Sequence, residues 1–352
     1  MTKSFFISKK KISEKNPFII AEAGVNHNGS LLIAKKLIRS AKIAGADAIK
    51  FQTFKTEKII LPNAPKSNYH IETTGSDKMQ SWFDLLKSQE LSEKMHIELK
   101  KYCNEQKIIF LSTPYDYESV DLLERINVPA YKIASTDNEN YPLLKYIAKK
   151  NKPLIVSTGM SNIKNVTETY NFLKKYNSKI IVLQCTANYP INKNEVNLNI
   201  MLSYKEKFGC KVGYSDHTTD NFASTIAAAM GACVVEKHFT LDKSMPGPDH
   251  RMSCTPIELK DLIENIRLVK KVRGTYDKKI LKSEKINRKR LKKSIVTDKK
   301  IKKGQVLNKT YLSLKRPGIG LEPKYLEEIS KYKATKDIKA GTVLKRNMIK
   351  LK

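Results

Sequence analysis

Polar side chains recur immediately after short apolar, β-branched runs, and their types belong together chemically. Eight such ends occur in order: Glu22 with Asn26-His27-Asn28-Gly29; Lys50 with Gln52; Ser112-Thr113-Pro114; Lys132 with Ser135; Ser157-Thr158-Gly159; Cys185 with Asn188-Tyr189; Ser215-Asp216-His217; and Glu236-Lys237-His238. Lys50 and Lys132, with the hydroxyls of Ser135, Ser157 and Ser215, make a set suited to a phosphate or a carboxylate. Thr113 is a further candidate substrate contact. His217 and His238 can share one divalent metal with coordination positions left open, as catalytic sites require; the competing reading is two hydrogen-bonded histidines without metal. Glu22 and Glu236 are candidates for proton transfer or for orienting a metal-bound water, against plain salt-bridging to a lysine. Gly247-Pro248 sets a turn that can present Asp249 to a substrate hydroxyl. His27, flanked by two asparagines, is read as a turn-forming residue. Trp82 and Met79 are read as the local core of an insertion.

Eight apolar runs carry these ends: 18–21, 48–51, 108–111, 130–133, 153–156, 180–183, 211–213 and 232–236. Between them lie segments of helical period at 31–44, 92–106, 117–126, 141–150, 162–176, 196–208 and 221–230, with 256–272 closing the series. Eight strand–helix units predict a (β/α)8 TIM barrel of the α/β class, whose chemistry sits at the C-terminal ends of the strands. A doubly wound open sheet is the alternative, but no G-x-G-x-x-G follows the first strand. Residues 53–89 form a long insertion after the second strand, expected to act as a lid or specificity loop. The barrel is assigned to residues 1–280 and a basic linker to 281–293. A small β-rich domain follows at 294–352, where Asp298 to Gly304 and Asp337 to Gly341 read as two similar halves.

The chain has 352 residues, 40 % of them hydrophobic, with 66 basic against 35 acidic side chains and a net charge of +31. That composition excludes a disordered tail, a disulfide miniprotein and a membrane span. Five cysteines without a C-x-x-C pair predict a reducing cytoplasm. The excess charge is concentrated in the last 72 residues, yet it is mostly lysine, dispersed and without interleaved aromatics. We expect no nucleic-acid partner, because base-edge recognition leans on bidentate arginine; a polyanion-binding protein on an idle barrel is the contrasting class.

Six motifs carry a family resemblance: Ala21-Glu-Ala-Gly-Val-Asn-His-Asn-Gly29, Lys50-Phe-Gln-Thr53, Leu111-Ser-Thr-Pro114, Ser157-Thr-Gly-Met160, Gly213-Tyr-Ser-Asp-His-Thr218 and Glu236-Lys-His-Phe-Thr240 with Gly247-Pro-Asp249. Along nearly its whole length the chain resembles the sialic acid synthase family. The resemblance implies condensation of phosphoenolpyruvate with an N-acyl mannosamine-type sugar, on a metal-dependent barrel followed by an antifreeze-like (SAF) domain. It implies manganese, with magnesium or cobalt as alternatives, on His217 and His238, and phosphoenolpyruvate on Lys50, Lys132, Ser135, Ser157 and Ser215. Glu22, Gln52, Tyr189, Asp249 and Arg316 match positions that handle the sugar or the attacking water. Arg316, in Lys315-Arg-Pro-Gly318, matches an arginine that reaches the partner's site in a domain-swapped homodimer. Two positions depart from the family pattern, at Ser135-Thr136-Asp137 and at Ala187-Asn188. Gln52-Thr-Phe-Lys-Thr-Glu57, Ala64-Pro-Lys-Ser-Asn-Tyr69, Asn194 to Leu198 and Phe239 to Lys243 look like the legionaminic acid synthase branch. That branch uses 2,4-diacetamido-2,4,6-trideoxymannose; N-acetylmannosamine is the alternative sugar.

Overall fold

A computed structural model describes residues 5–352. The chain divides into two compact units, one ending at Gly274 and the other spanning Thr275–Lys352. In the first, a two-residue hairpin, β1 (Phe6–Ile7) and β2 (Lys10–Lys11), precedes eight parallel strands: β3 (Phe18–Gly24), β4 (Ala48–Thr53), β5 (Ile109–Pro114), β6 (Tyr131–Ile133), β7 (Leu154–Ser157), β8 (Ile180–Cys185), β9 (Lys211–Asp216) and β10 (Val234–His238). They are hydrogen-bonded in the order β5-β4-β3-β10-β9-β8-β7-β6, so β10 returns beside β3 and the seam falls between β5 and β6. This near-closed ring is the expected barrel and excludes the open sheet. The hairpin was not foreseen from the sequence; four residues in two strands leave no periodicity to read.

Helices cover the outside: α1 (Leu31–Ala44) and, within the insertion, α2 (Thr56–Ile59), α3 (Asn68–Thr74) and α4 (Trp82–Gln89). Then come α5 (Glu93–Glu105), α6 (Tyr117–Arg125), α7 (Tyr141–Ala148), α8 (Ile163–Lys174), α9 (Asn199–Phe208), α10 (Phe222–Ala229) and α11 (Pro256–Arg273). Their ends follow local chemistry. Ser30 caps α1 by accepting from Ile33 N, and Gly45 closes it with a left-handed φ of 95°. Thr255 and Glu258 form a reciprocal capping box at α11, with Pro256 in the first turn. The helix expected at 196–208 starts only at Asn199, because a 3-10 turn at Lys193–Glu195 comes first.

Because side chains alternate along a strand, each barrel strand presents one set inward and another to the helices. The inward set begins apolar: Phe18, Ile20, Ala48, Leu111, Ala130, Ile155, Ile181, Leu183 and Val234 pack with Ile7 and Ile12, so the hairpin plugs the N-terminal end of the barrel. The outward set, including Ile19, Ile49, Phe110, Tyr131, Val156, Val182, Val212 and Val235, packs against the helices. Asp47 pins the plug by accepting from Ile19 N at 2.8 Å and pairing with Lys10 and with Arg267 at 3.2 Å.

The second unit holds α12 (Lys282–Leu291), β11 (Ser294–Thr297), β12 (Leu312–Lys315), β13 (Tyr332–Ala334) and β14 (Ile349–Leu351). A helix thus runs through the segment read as a basic linker; six of its ten residues are charged and none is buried, so it has no apolar stripe to read. The repeated phrases face each other, with Ile301 bridged to Ile338 and with Gly304 and Gly341 at φ of 81° and 75°.

Gly213 shows how tightly the ring is closed. A Cβ there would sit 2.7 Å from Leu183 Cδ2 and closer still to the carbonyl oxygen of Val234 on the adjoining strand. Backbone cannot yield as a side chain does, so Gly213→Ala is expected to lower stability by about 3 kcal/mol, at the upper end of overpacking costs. Urea denaturation of both proteins measures it, and an unchanged midpoint contradicts the close approach.

Candidate active site at the mouth of the barrel

Two residues beyond the apolar inner layer, the same strand faces turn polar. Ile20 is followed by Glu22, Ala48 by Lys50, Leu111 by Thr113, Ala130 by Lys132, Ile155 by Ser157, Leu183 by Cys185, Gly213 by Ser215, and Val234 by Glu236 and then His238; apart from Gly213, the first residue of each step belongs to the inner layer. Every one of these polar groups is buried. Lys50 Nζ lies 2.7 Å from Glu22 Oε2, 2.9 Å from Thr113 Oγ1 and 3.9 Å from Glu236 Oε1. Lys132 Nζ donates to Ser157 Oγ at 2.6 Å and lies 3.4 Å from Glu236 Oε1. Ser215 Oγ donates to Glu236 Oε1 at 3.2 Å, and Ser135 Oγ accepts from Gly159 N at 2.9 Å. A Cβ on Gly159 would lie 2.9 Å from both Ser135 Oγ and Ala187 Cβ, which explains the glycine.

The two carboxylates differ electrically. Burial pushes Glu22 up to about 7 against the opposing pull of Lys50. For Glu236 burial is outweighed by Lys132 and Lys50, and its carboxyl lies below the usual range. Lys132 is itself lowered by burial. Glu22 Oε2 and Glu236 Oε2 are buried without an aligned hydrogen bond, although Glu22 keeps its close ion pair.

His217 and His238 come together from adjacent strands, their rings 5.3 Å apart. The Nδ1 of His217 lies 2.8 Å from Thr186 O; donation there makes Nε2 the lone-pair nitrogen, the arrangement by which metal-binding imidazoles are usually oriented. Burial, then the positive charges of His217 and nearby lysines, keep His238 well below its ordinary value and hence neutral. Its Nδ1 is buried with no hydrogen-bond partner and lies 3.8 Å from Asp249 Oδ2. Two imidazoles brought together at the strand ends, one of them oriented through Thr186 O, are donors of the type a divalent cation takes. Among the described residues no group of three or more His, Cys, Asp or Glu could hold one by itself, so water or substrate would complete the sphere.

Beside them, a Cβ built on Gly24 would lie 3.4 Å from Glu22 Oε1, 3.5 Å from Gln52 Nε2 and 3.6 Å from Asp249 Oδ2, so these three polar groups surround one point. Asp249 is pushed up to about 6 by burial. The Tyr189 ring lies 4.3 Å from that of His217 and 5.9 Å from that of His238. Arg316 belongs to the second unit, where it is exposed and its Nε donates to Leu291 O at 3.0 Å.

Other residues sort differently. Ser112 and Lys237 point away from the mouth: Ser112 Oγ lies 2.6 Å from Thr53 Oγ1, and Lys237 Nζ lies 3.0 Å from Asp216 Oδ2. The Asn26-His27-Asn28-Gly29 turn is a scaffold. Asn26 Nδ2 donates to Phe239 O and Ser253 Oγ, Asn28 Nδ2 to Pro246 O, and Gly29 N to His27 Nδ1, which ties the first strand's loop to the one carrying Asp249. Met79 is exposed and no part of the insertion's core, whereas Trp82 packs its ring 5.1 Å from His70. Cys185, one of the polar strand ends, reaches the mouth, and three further residues there were not among the sequence candidates. Cys185 Sγ sits 4.0 Å from His217 Nδ1 and 3.7 Å from Ser135 Oγ. Tyr115 is surrounded by the charges of Glu22, Asp137, Asp249 and Glu236. Asp137 has a buried oxygen without a partner, and Tyr69 lies 5.9 Å from Tyr189, ring to ring. The two-residue step could have found Tyr115, two residues beyond Thr113; nothing local marks Asp137 or Tyr69.

The sequence matches the NeuB family model over residues 37–278 and the SAF domain model over residues 292–350. The chain belongs to the NeuB family. It is 46 % identical to an N,N'-diacetyllegionaminic acid synthase of Campylobacter jejuni over 94 % of this chain and 99 % of that protein. A synthase of the same name from Legionella pneumophila is 40 % identical, over 96 % and 95 %. Among solved structures, an N-acetylneuraminic acid synthetase of Leptospira borgpetersenii in complex with citrate superposes with a TM-score of 0.71 at 32 % identity, covering 82 % of this chain and 95 % of that one. This NeuB-family chain is therefore an enzyme of the synthase type, with the SAF domain at its C-terminal end.

His27 gives the scaffold an acid limit. Burial, then the charges of His96 and His250, push its pKa down to about 3 from the ordinary 6.5. A depressed histidine contributes stability that is full above pH 6.5 and is lost as pH falls, because the unfolded chain takes the proton first. From pH 7 to pH 5 that loss is about 2 kcal/mol. His27→Asn, which keeps an acceptor for Gly29 N, should lose about 2 kcal/mol less than the parent over the same interval; equal losses in paired denaturation curves contradict the buried neutral imidazole.

Proposed function

We propose that this NeuB-family enzyme condenses phosphoenolpyruvate with an N-acyl mannosamine-type sugar, 2,4-diacetamido-2,4,6-trideoxymannose in preference to N-acetylmannosamine, giving a nine-carbon nonulosonic acid and phosphate. The observation that carries this reading is the pair of buried lysines with Ser135, Ser157 and Ser215, facing the His217–His238 pair across one barrel mouth. A doubly anionic phosphate with an adjacent carboxylate suits two ammonium groups and a ring of hydroxyls. The names of the Campylobacter and Legionella relatives support the diacetamido sugar.

Lys50, Lys132 and the serines hold phosphoenolpyruvate with C3 toward the sugar aldehyde, which Gln52, Asp249 and Tyr189 position. When bound by His217 and His238, a divalent cation, manganese by the resemblance, supplies Lewis-acid polarisation of a carbonyl. C3 attacks the aldehyde carbon, and Glu22, whose raised pKa keeps a proton available near neutrality, protonates the aldehyde oxygen. Water adds to the oxocarbenium at C2, and Glu236, held ionised by the lysines, accepts the proton it releases. The tetrahedral carbon then expels phosphate by C–O cleavage, the C2 hydroxyl proton passing to the departing phosphate, to leave the 2-keto acid.

The enzyme acts as a homodimer exchanging second units, so that Arg316 of the partner subunit completes the sugar site. No helix among the described residues is long and apolar enough to cross a membrane. All five cysteines are free, and we place the enzyme in the cytoplasm.

Phosphate release from phosphoenolpyruvate with manganese, comparing the two sugars with a no-sugar blank, tests the reading. Faster release with the diacetamido sugar is expected. Faster release with N-acetylmannosamine returns the enzyme to sialic acid synthesis, and release with neither sugar sinks the condensation. His217→Ala should fold, by its circular dichroism, and lose at least about a hundredfold in rate; full activity removes the metal role.

A further inference from the structure

The insertion between β4 and α5 carries its own fastenings. Ser67 Oγ lies 2.6 Å from His70 Nδ1, Lys66 Nζ donates to Gly75 O at 3.0 Å, Lys66 N donates to the Asp77 carboxylate, and the rings of His70 and Trp82 pack at 5.1 Å. The opposite side of Gly29 leaves no room for a Cβ against Ser88 O, so α4 also rests on the scaffold turn. From this platform the ring of Tyr69 reaches Tyr189 at 5.9 Å, and Tyr189 in turn covers both site histidines. A run of aromatic faces therefore leads from the histidine pair out to the lid.

The hydroxyl of Tyr69 is buried and has no hydrogen-bond partner. Burial, then the charge of Asp249, hold the phenol well above its ordinary value, which keeps it a donor. A buried donor without an acceptor is costly, and a bound molecule that brings a carbonyl removes the cost. The aldehyde end of the sugar belongs beside the histidines, so Tyr69, one ring further out, faces the end remote from the aldehyde. Beyond the aldehyde end the two sugars differ at C4 and C6: one bears at C4 an acetamido group, with a methyl for an aromatic wall and a carbonyl for a donor, and a methyl at C6, and the other carries hydroxyls at both.

We propose that Tyr69 is a specificity-determining residue whose ring packs on the remote acetamido group of the sugar and whose hydroxyl donates to its carbonyl oxygen. This rests on the functional reading above. The full chain with manganese and phosphoenolpyruvate is assayed as parent and as Tyr69→Phe, which keeps the ring and removes the hydroxyl. KM for the diacetamido sugar should rise about tenfold, and the ratio of kcat/KM between the diacetamido sugar and N-acetylmannosamine should fall about tenfold, as expected for one lost hydrogen bond. An unchanged ratio overturns the proposal, whether neither activity moves or both fall together as a loosened lid would cause. A parent enzyme that does not turn over the diacetamido sugar overturns the functional reading itself and this one with it. A parent that does so beside a variant with unchanged KM overturns the role of Tyr69 alone.

Discussion

Two ammonium groups and two carboxylates share the upper interior of the barrel with little access to water, and the rest of the molecule answers to that constraint. Charges taken out of water are tolerated only when paired and hydrogen-bonded. Lys50 meets Glu22 and Thr113; Lys132 meets Ser157 and Glu236. The pairing is incomplete on the carboxylate side, where one oxygen of each glutamate has no aligned donor. A site held this way is preorganised: its charges are fixed by the fold before any ligand arrives, which is what the proposed binding of an anion and stabilisation of a developing alkoxide require. The unequal surroundings of Glu22 and Glu236 shift the two carboxyls in opposite directions within one pocket, the condition under which the proposed donor and acceptor roles can coexist.

Such a cluster needs rigid walls, and the period of the β-strand provides them. One face of each strand runs from the apolar plug to the polar mouth in steps of two residues, while the other face anchors the helices. The anchoring face carries a second buried pair. Lys237, 1 % exposed, lies 3.0 Å from Asp216 Oδ2, 3.2 Å from Thr218 Oγ1 and 2.8 Å from Asp220 O, and also donates to Thr218 O. Asp216 in turn accepts from Thr218 N and Ser224 Oγ. The loop that carries His217 is thereby fixed from behind, and the imidazole from its own side by Thr186 O.

Much of this is legible in the residues themselves. The eight β-branched runs mark the barrel strands to within a few residues, because a sheet buried on both faces must be apolar along its length. The polar ends mark the mouth, since a polar group at the top of a packed barrel has little other reason to be there. Sequence does not show which polar end faces in: Lys237 and Ser112 sit among the candidates yet turn outward, and only the register of the strands decides it. Nor does it show Tyr69 or Asp137, whose place depends on how an insertion and a 3-10 turn fold over a distant strand end. The helix at 282–291 was hidden for a simpler reason: six of its ten residues are charged and none is buried, so no apolar period exists to detect.

The central claim is that the buried lysines form the seat of phosphoenolpyruvate. Titrating phosphoenolpyruvate into the manganese-loaded enzyme and into Lys132→Gln by calorimetry, without sugar, tests it most directly. One site per chain is predicted for the parent, with affinity reduced at least about a hundredfold in the variant, as expected for a lost charge-assisted contact beside a stranded carboxylate. Binding of equal strength to both proteins, or none to the parent, would contradict the account.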